Sequence, residues 1–88
     1  MRLDKFLKVS RLIKRRTLAK EVSDQGRILV NGVQAKASTN VKVGDELTVR
    51  FGQRIVTVRI DSIKETSRKE EAAEMYTTLK DERISVES

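Results

Sequence analysis

Residues 1–25, MRLDKFLKVSRLIKRRTLAKEVSDQ, hold eight of the nineteen basic residues of the chain. Within residues 1–20 the only acidic residue is Asp4. Leu3, Phe6 and Leu7 fall at positions i, i+3 and i+4, which places them on one face of a helix. The stretch therefore predicts a short amphipathic helix over residues 2–8 or so, with a basic outer side.

A second short helix is predicted after a turn at residues 9–11. Thr17 is its candidate N-cap, because a threonine hydroxyl can accept a hydrogen bond from a free backbone N–H of the first turn. Leu18, Ala19 and Val22 form its expected apolar side. The helix should end at Gly26, since glycine readily takes the left-handed conformation that stops a helix.

Beyond Gly26 the pattern changes from helical to alternating, which is typical of strands. Asn31-Gly32 is a strong two-residue hairpin signal, because both central residues of a type I′ turn need a positive φ. Three to five short strands are predicted over residues 27–63. The predicted fold class is α+β, with two short N-terminal helices packed on a small, mostly antiparallel sheet and a C-terminal amphipathic helix.

The C-terminal helix is predicted from two signals. Ser67 and Glu70 have the spacing of a capping box, and apolar side chains then recur at helical spacing. We expect a domain over residues 1–64, an amphipathic helix of about three turns over 65–80, and a flexible tail over 81–88.

The charge of the chain is unevenly distributed. Residues 1–60 carry a net charge of +9 and residues 61–88 a net charge of −3, which together make +6. A basic body points to a polyanionic partner. Histidine and cysteine are absent, which excludes a zinc finger and a histidine-based catalytic centre. We therefore expect no catalytic residue, no metal ligand and no cofactor, in a soluble cytoplasmic protein without a membrane partner.

The ordered string R-L-D-K-F-L, S-R, R-R-T-x-A, G-x-I-x-V-N-G, K-A-S and G-D resembles the alpha-L RNA-binding motif, the small domain of ribosomal protein S-four. The likeness covers about residues 1–60. In its length the chain resembles the stand-alone, heat-shock-protein-15-like family of ribosome-binding proteins, and within that family the members that serve bacterial ribosome-associated quality control.

The resemblance implies a non-catalytic protein that binds 23S rRNA and peptidyl-tRNA on the large (50S) subunit of a stalled, split ribosome. It also implies a protein partner of the RqcH (NEMF-like) tailing-factor type, with which the chain would support non-templated C-terminal alanine tailing. A large-subunit recycling or ribosome-assembly factor without a tailing role is the alternative within the family. We expect a monomer that does not bind DNA.

The likeness places RNA contacts mainly on the basic residues of the helix pair. Asp4 is expected to orient an arginine or to accept a hydrogen bond from a nucleotide hydroxyl. Arg11 and Arg16 flank the turn between the helices, where they and the free N–H groups of the second helix can converge on one phosphate. The predicted RNA-binding residues are Arg2, Asp4, Lys5, Lys8, Arg11, Arg15, Arg16, Thr17, Lys20 and Lys36.

Other readings stay open from the residues themselves. A helix-turn-helix DNA binder would need a third helix, and strands follow the second helix here. An enzyme would need a nucleophile–base pair or a phosphate-binding loop, and neither is recognisable. Arg50, Arg54 and Arg59 either reach RNA or only make the sheet soluble. The C-terminal helix could fold back on the domain, bind a protein or contact rRNA.

Overall fold

The computed structural model describes residues 1–65 and 68–83. Two helices come first, five strands form one sheet, and a single helical turn precedes the last strand. The elements are α1 Leu3–Val9, α2 Arg16–Asp24, β1 Ile28–Val30, β2 Val33–Gln34, β3 Glu46–Phe51, β4 Arg54–Ile60, α3 Lys69–Ala72 and β5 Tyr76–Arg83. The sheet is antiparallel with the order β2-β1-β3-β4-β5. The predicted α+β fold with two N-terminal helices and a small antiparallel sheet is confirmed.

The hydrophobic core lies between the helix pair and one face of the sheet. From α1, Leu3, Phe6 and Leu7 are fully buried, as predicted. From the sheet, the inward residues of β3 and β4 alternate with exposed or half-buried ones, and Leu47 and Val58 are fully buried. This alternation is what a strand with one buried face requires.

Two expectations for α2 were wrong. The helix begins at Arg16, with Arg15 as an N-cap that makes no side-chain capping hydrogen bond, so Thr17 lies inside the first turn and is not the cap. Leu18 is 47% exposed, whereas Ala19 is fully buried. Because the core-facing stripe runs through Ala19 and its i+4 neighbour Ser23, Leu18 lies outside it.

The start of the chain is fastened to the segment that joins β2 to β3. The N–H of Leu3 donates to the carbonyl of Thr39 at 2.8 Å, and the N–H of Val41 donates to the carbonyl of Met1 at 2.8 Å. The N–H of Asp4 donates to the carbonyl of Ala37 at 3.2 Å. Free N–H groups at the start of α1 are therefore satisfied within the protein.

The Asn31-Gly32 turn forms as predicted, with φ values of 52° and 82°. The side chain of Asn31 also ties the turn to the start of β3. Its amide donates to the carboxylate of Asp45 at 3.1 Å, and its oxygen accepts from the N–H of Glu46 at 3.0 Å. The buried Asp45 also accepts from the N–H of Lys42 at 3.0 Å. The turn and the Gly-Asp motif thus form one structural clasp.

The predicted three-turn helix over residues 65–80 was wrong. Of the described residues in this range only 69–72 are helical, and β5 pairs with β4 over residues 76–83. The apolar residues Ala72 and Met75 are buried, as an amphipathic element requires. Beyond them, however, the free edge of β4 offers a row of unpaired N–H and C=O groups. Residues 76–83 therefore pair with that edge as a strand, although their apolar spacing also suits a helix.

Two parts of the C-terminal prediction, the cap at Ser67 and the tail over 81–88, lie wholly or partly outside the described residues. Ser67 and residues 84–88 lie beyond them. The cap of α3 is instead Arg68, whose N–H donates to the carboxylate of Glu71 at 3.4 Å. Residues 81–83 of the expected flexible tail belong to β5.

Candidate nucleic-acid interface

The N-terminal ends of α1 and α2 meet at the carboxylate of Asp4. Its side chain is only 4% exposed, and it accepts from Arg2 at 3.2 and 3.4 Å. Arg16 lies 3.6 Å away, measured from its Nε to Oδ2 of Asp4. The two arginine side chains are half-exposed, at 49% and 50%. One buried carboxylate therefore holds two guanidinium groups at the surface, which is the arginine-orienting role expected for Asp4.

This arrangement leaves most of the hydrogen-bonding capacity of the arginines unused. A guanidinium has five N–H donors, of which Arg2 spends two on Asp4. Two positive charges against one negative charge leave a net positive charge at the surface. A pair of oriented, partly free guanidiniums is well suited to a phosphate, which accepts two parallel hydrogen bonds from one arginine. The oxygens of Asp4 are engaged and buried, so they offer little to a nucleotide hydroxyl.

The start of α2 adds free donors beside this pair. Its N-cap makes no side-chain hydrogen bond. Within the part of the chain that the structure describes, the N–H groups of Arg16, Thr17 and Leu18 have no acceptor. The first N–H groups of a helix carry a partial positive charge and attract anions. The start of α1, by contrast, is already occupied by carbonyls of residues 37 and 39.

Three further basic side chains of α1, α2 and the loop between them have no acidic partner among the described residues. Among residues 1–65 and 68–83, none of Lys8, Arg15 and Lys20 forms an ion pair. All three are exposed. Lys5 differs, because it pairs with Glu65 and so lowers the pKa of that carboxyl. The charge of Lys5 is therefore partly neutralised.

Lys36 belongs to the segment after β2 and lines a depression with Asp24 and Gln25, at the end of α2. Its own N–H donates to the hydroxyl of Thr39 at 3.0 Å, and the next N–H, of Ala37, donates to Asp24 of α2 at 3.2 Å. The carbonyl of Ala37 in turn holds the N–H of Asp4. The exposed Lys36 is thus attached to both helices through its neighbour.

Arg11 and Arg16 have different neighbours, although the sequence pairs them around one turn. Arg16 lies at Asp4, whereas Arg11 lines a groove that also contains Arg54 and Tyr76. Arg11 has a left-handed backbone with φ 61°. The expectation that the two arginines converge on one phosphate is not supported by these contacts.

The sheet arginines, whose role the sequence left open, divide into two kinds. Arg54 donates two hydrogen bonds to Asp81, at 2.9 and 2.5 Å, and these bonds lower the pKa of Asp81. Arg59 donates to Asp61 at 2.9 Å. Arg50, in contrast, has no acidic partner among the described residues and lines a shallow depression with Arg27. Sequence reasoning missed Arg27, and only the pairing of β1 with β3 reveals it.

Neither a membrane span nor a metal site is found in the described parts of the chain. No helix there is both long enough and apolar enough to cross a bilayer. No group of three or more acidic side chains there is arranged to hold a metal ion.

The helix pair, the sheet and the basic face together define a class of protein, the RNA-binding scaffold. The family model of the S4 domain matches residues 1–47, and the chain belongs to the S4 domain family. It is 74% identical over 84 residues to a protein of Bacillus subtilis named RQC P-site tRNA stabilizing factor, covering 96% of this chain and 98% of the relative. A protein of Streptococcus pneumoniae with the same name is 54% identical, with 96% of each chain covered.

The chain is also similar to heat shock protein 15 in sequence and in fold. Heat shock protein 15 of Escherichia coli is 39% identical over 77 residues, which cover 86% of this chain and 58% of that protein. A solved structure described as trimeric heat shock protein 15 of Vibrio cholerae is similar in fold, with a TM-score of 0.83 and 35% identity. The similarity covers 89% of this chain and 80% of that one. The predicted resemblance to an S-four-type, heat-shock-protein-15-like protein is confirmed.

Proposed function

We propose that this protein binds 23S rRNA and P-site tRNA on the large ribosomal subunit and acts without catalysis in ribosome-associated quality control. The relatives named RQC P-site tRNA stabilizing factor support this assignment through their identity and full-length coverage. The observation that carries it is the pair of half-exposed arginines that buried Asp4 holds beside the open start of α2.

In the proposed interface some of the predicted residues contact phosphates directly, and others only attract the RNA backbone. Arg2 and Arg16 donate to phosphate oxygens, and Asp4 orients them without touching RNA. The free N–H groups around Thr17 contribute to the same anion site. Lys8, Arg15 and Lys20 add attraction to the phosphate backbone, and neutralised phosphates release counterions to the solvent. Lys5, Arg11 and Lys36 complete the set.

In the cell this binding would hold the tRNA in place while a stalled chain is extended. The protein partner in this proposal is a tailing factor of the RqcH type, and the product is a C-terminal alanine tail added without a template. The site of action is the cytoplasm, on split 50S subunits. A recycling or ribosome-assembly factor is the second candidate, favoured by the similarity to heat shock protein 15, which lacks the quality-control name.

The test is to purify tagged protein from cells and to sequence the RNA bound to it. The wild type is compared with Arg11→Ala/Arg16→Ala, and with Arg59→Ala as a control for loss of a paired arginine. We expect large-subunit rRNA and tRNA to co-purify without small-subunit rRNA. The double variant should lose both RNAs, and Arg59→Ala should retain them.

The second arm separates the two candidate functions. In cells without the endogenous protein, a reporter that stalls ribosomes should receive alanine tails only when the wild type is supplied. Arg16→Ala should cost about 1–3 kcal/mol of binding free energy, since it removes hydrogen bonds to a charged group. Tails that form normally without the protein would favour the recycling role, and predominance of whole ribosomes or DNA in the purified material would refute both.

A further inference from the structure

A groove lies where the loop between α1 and α2 passes over β4 and β5. Arg11 and Leu12 come from the loop, Arg54 and Val56 from β4, and Tyr76 and Asp81 from β5. Its volume is about 420 Å³, within the range of small-molecule sites, roughly 300–1,000 Å³. The groove lies at the opposite end of α1 from Asp4.

The first unusual feature of the groove is the backbone of Arg11. This residue directly follows the C-cap of α1 and has φ 61°, while its N–H donates to the carbonyl of Lys8 at 3.1 Å. Glycine is the usual residue at such a position, because other side chains clash with the backbone there. A long basic residue at a strained position in a groove indicates a function for its side chain.

The second feature is a bulge in β5. Val58 pairs with Thr78, but the neighbouring Thr57 pairs with Lys80, so Leu79 is an extra residue. The shift places Asp81 opposite Val56, where regular pairing would place Lys80. Because successive side chains of a strand point to opposite faces, the bulge turns a carboxylate toward the groove. Bulges are frequent beside binding sites for this reason.

The residues that line the groove belong to three chemical groups. Leu12, Val56 and Tyr76 provide an apolar surface with one aromatic ring. Arg54 and Asp81 neutralise each other through two hydrogen bonds and form a polar edge. Arg11 has no acidic partner within the described ranges 1–65 and 68–83. The groove therefore has one free positive charge beside an aromatic surface and a polar rim.

We propose that this groove binds one nucleotide of the RNA, with the phosphate on Arg11 and the base against Tyr76 and Leu12. This inference rests on the proposed RNA-binding function and adds a second contact, separate from the Asp4 cluster. A nucleotide joins an anion, a flat apolar ring and hydrogen-bonding edges within a single unit, which matches the three parts of the lining. Bases stack on aromatic side chains regardless of sequence.

The affinity for purified 50S subunits that carry P-site tRNA tests the proposal through two matched pairs of variants. Arg11→Gly removes the guanidinium and suits the left-handed backbone, so this variant should fold. Lys14→Gly removes one charge from the same loop but not from the groove. Tyr76→Leu removes the aromatic ring, whereas Tyr76→Phe keeps it. Thermal unfolding of each variant shows that the binding measurements use folded protein.

We expect Arg11→Gly to weaken binding several-fold more than Lys14→Gly. Tyr76→Leu should weaken binding about fivefold to a hundredfold, as loss of one stacked base does, while Tyr76→Phe should bind like the wild type. The proposal is overturned if Arg11→Gly costs no more than its control or if both Tyr76 variants bind equally well. Arg16→Ala, measured beside them, reports on the Asp4 cluster, so the proposed function can stand when the groove proposal fails.

Ultraviolet cross-linking of the same complex identifies the source of the nucleotide. After digestion, mass spectrometry should find an RNA adduct on the peptide that contains Tyr76, and the attached fragment should belong to 23S rRNA or to tRNA. Binding to 50S subunits alone and to tRNA alone provides the separate arms. A cross-link from this peptide to a ribosomal protein would show a protein in the groove and contradict the proposal.

Discussion

The helix pair and the β4–β5 half of the sheet handle their charges in opposite ways. In the helix pair, two arginines share one buried carboxylate, and Arg15 and Lys20 have no acidic partner among the described residues. In β4 and β5, Arg54, Arg59 and Lys80 each face a neighbouring acid. Surface ion pairs add little stability, so their effect here is mainly to cancel charge. The basic residues that remain uncancelled mark the surface that is open to a polyanion.

The largest expected effect concerns salt. If about five phosphates are contacted, raising salt from about 50 to 200 mM should weaken binding to 50S subunits roughly a hundredfold or more. Arg15→Ala/Lys20→Ala should flatten the salt dependence, because fewer counterions are released. Binding titrations at several salt concentrations measure how steeply the affinity of the wild type and of the double variant falls with salt. A flat response of the wild type would contradict the difference drawn between the two regions.

Asp45→Ala tests a carboxylate that serves only the fold. Its loss removes the acceptor of two partly buried hydrogen bonds, from the side-chain amide of Asn31 and from the N–H of Lys42. At about 0.5–1.5 kcal/mol for each bond, this should cost about 1–3 kcal/mol of unfolding free energy. Chemical denaturation measures this cost. The folded variant should bind RNA with unchanged affinity. If the variant is fully folded and still binds RNA more weakly, the clasp belongs to the RNA interface.

Asp4→Asn tests a carboxylate that serves the interface. Asparagine keeps the size of the side chain but loses the charge that orients Arg2 and Arg16. We expect a roughly tenfold loss of RNA affinity, about 1.4 kcal/mol. If Asp4 only offset positive charge, its removal would strengthen binding instead. The sign of the change in affinity therefore decides between orientation and neutralisation.

The smallest expected effect is a pH dependence of the unfolding temperature that comes from the acids paired across β4 and β5. Hydrogen bonds from Thr77 and Arg59 lower the pKa of Asp61 below its ordinary value of 3.8, and Arg54 does the same for Asp81. A lowered folded-state pKa stabilises the fold above the unfolded value, and this stability is lost as the pH falls through the folded value. The unfolding temperature should be level above about pH 5 and decrease below about pH 4. Asp81→Asn should weaken this decrease, and an unchanged pH profile would argue against the pairing.

Local signals in the sequence were sufficient for much of the fold. The spacing of Leu3, Phe6 and Leu7, the stop at Gly26 and the Asn31-Gly32 turn each depend on residues within a few positions of one another. Such short-range preferences act before any distant contact is made. The family motif lies within the same part of the chain, so membership of the S4 domain family was also accessible from sequence. The ion pair between Asp4 and Arg2 is equally local, whereas the ion pair between Asp4 and Arg16 depends on the packing of α1 against α2.

Tertiary structure decided what short-range signals leave open. Residues 76–83 have apolar spacing that a helix could use, yet the free edge of β4 makes them a strand. Leu18 has an apolar side chain, yet α2 turns Ala19 and Ser23 to the core and leaves Leu18 exposed. Arg11 and Arg54 are 43 positions apart in the chain, and they line one groove only because the loop after α1 packs beside β4 and β5. Pairing and packing over such distances depend on the whole chain, because their free energy is gained only when both partners are in place.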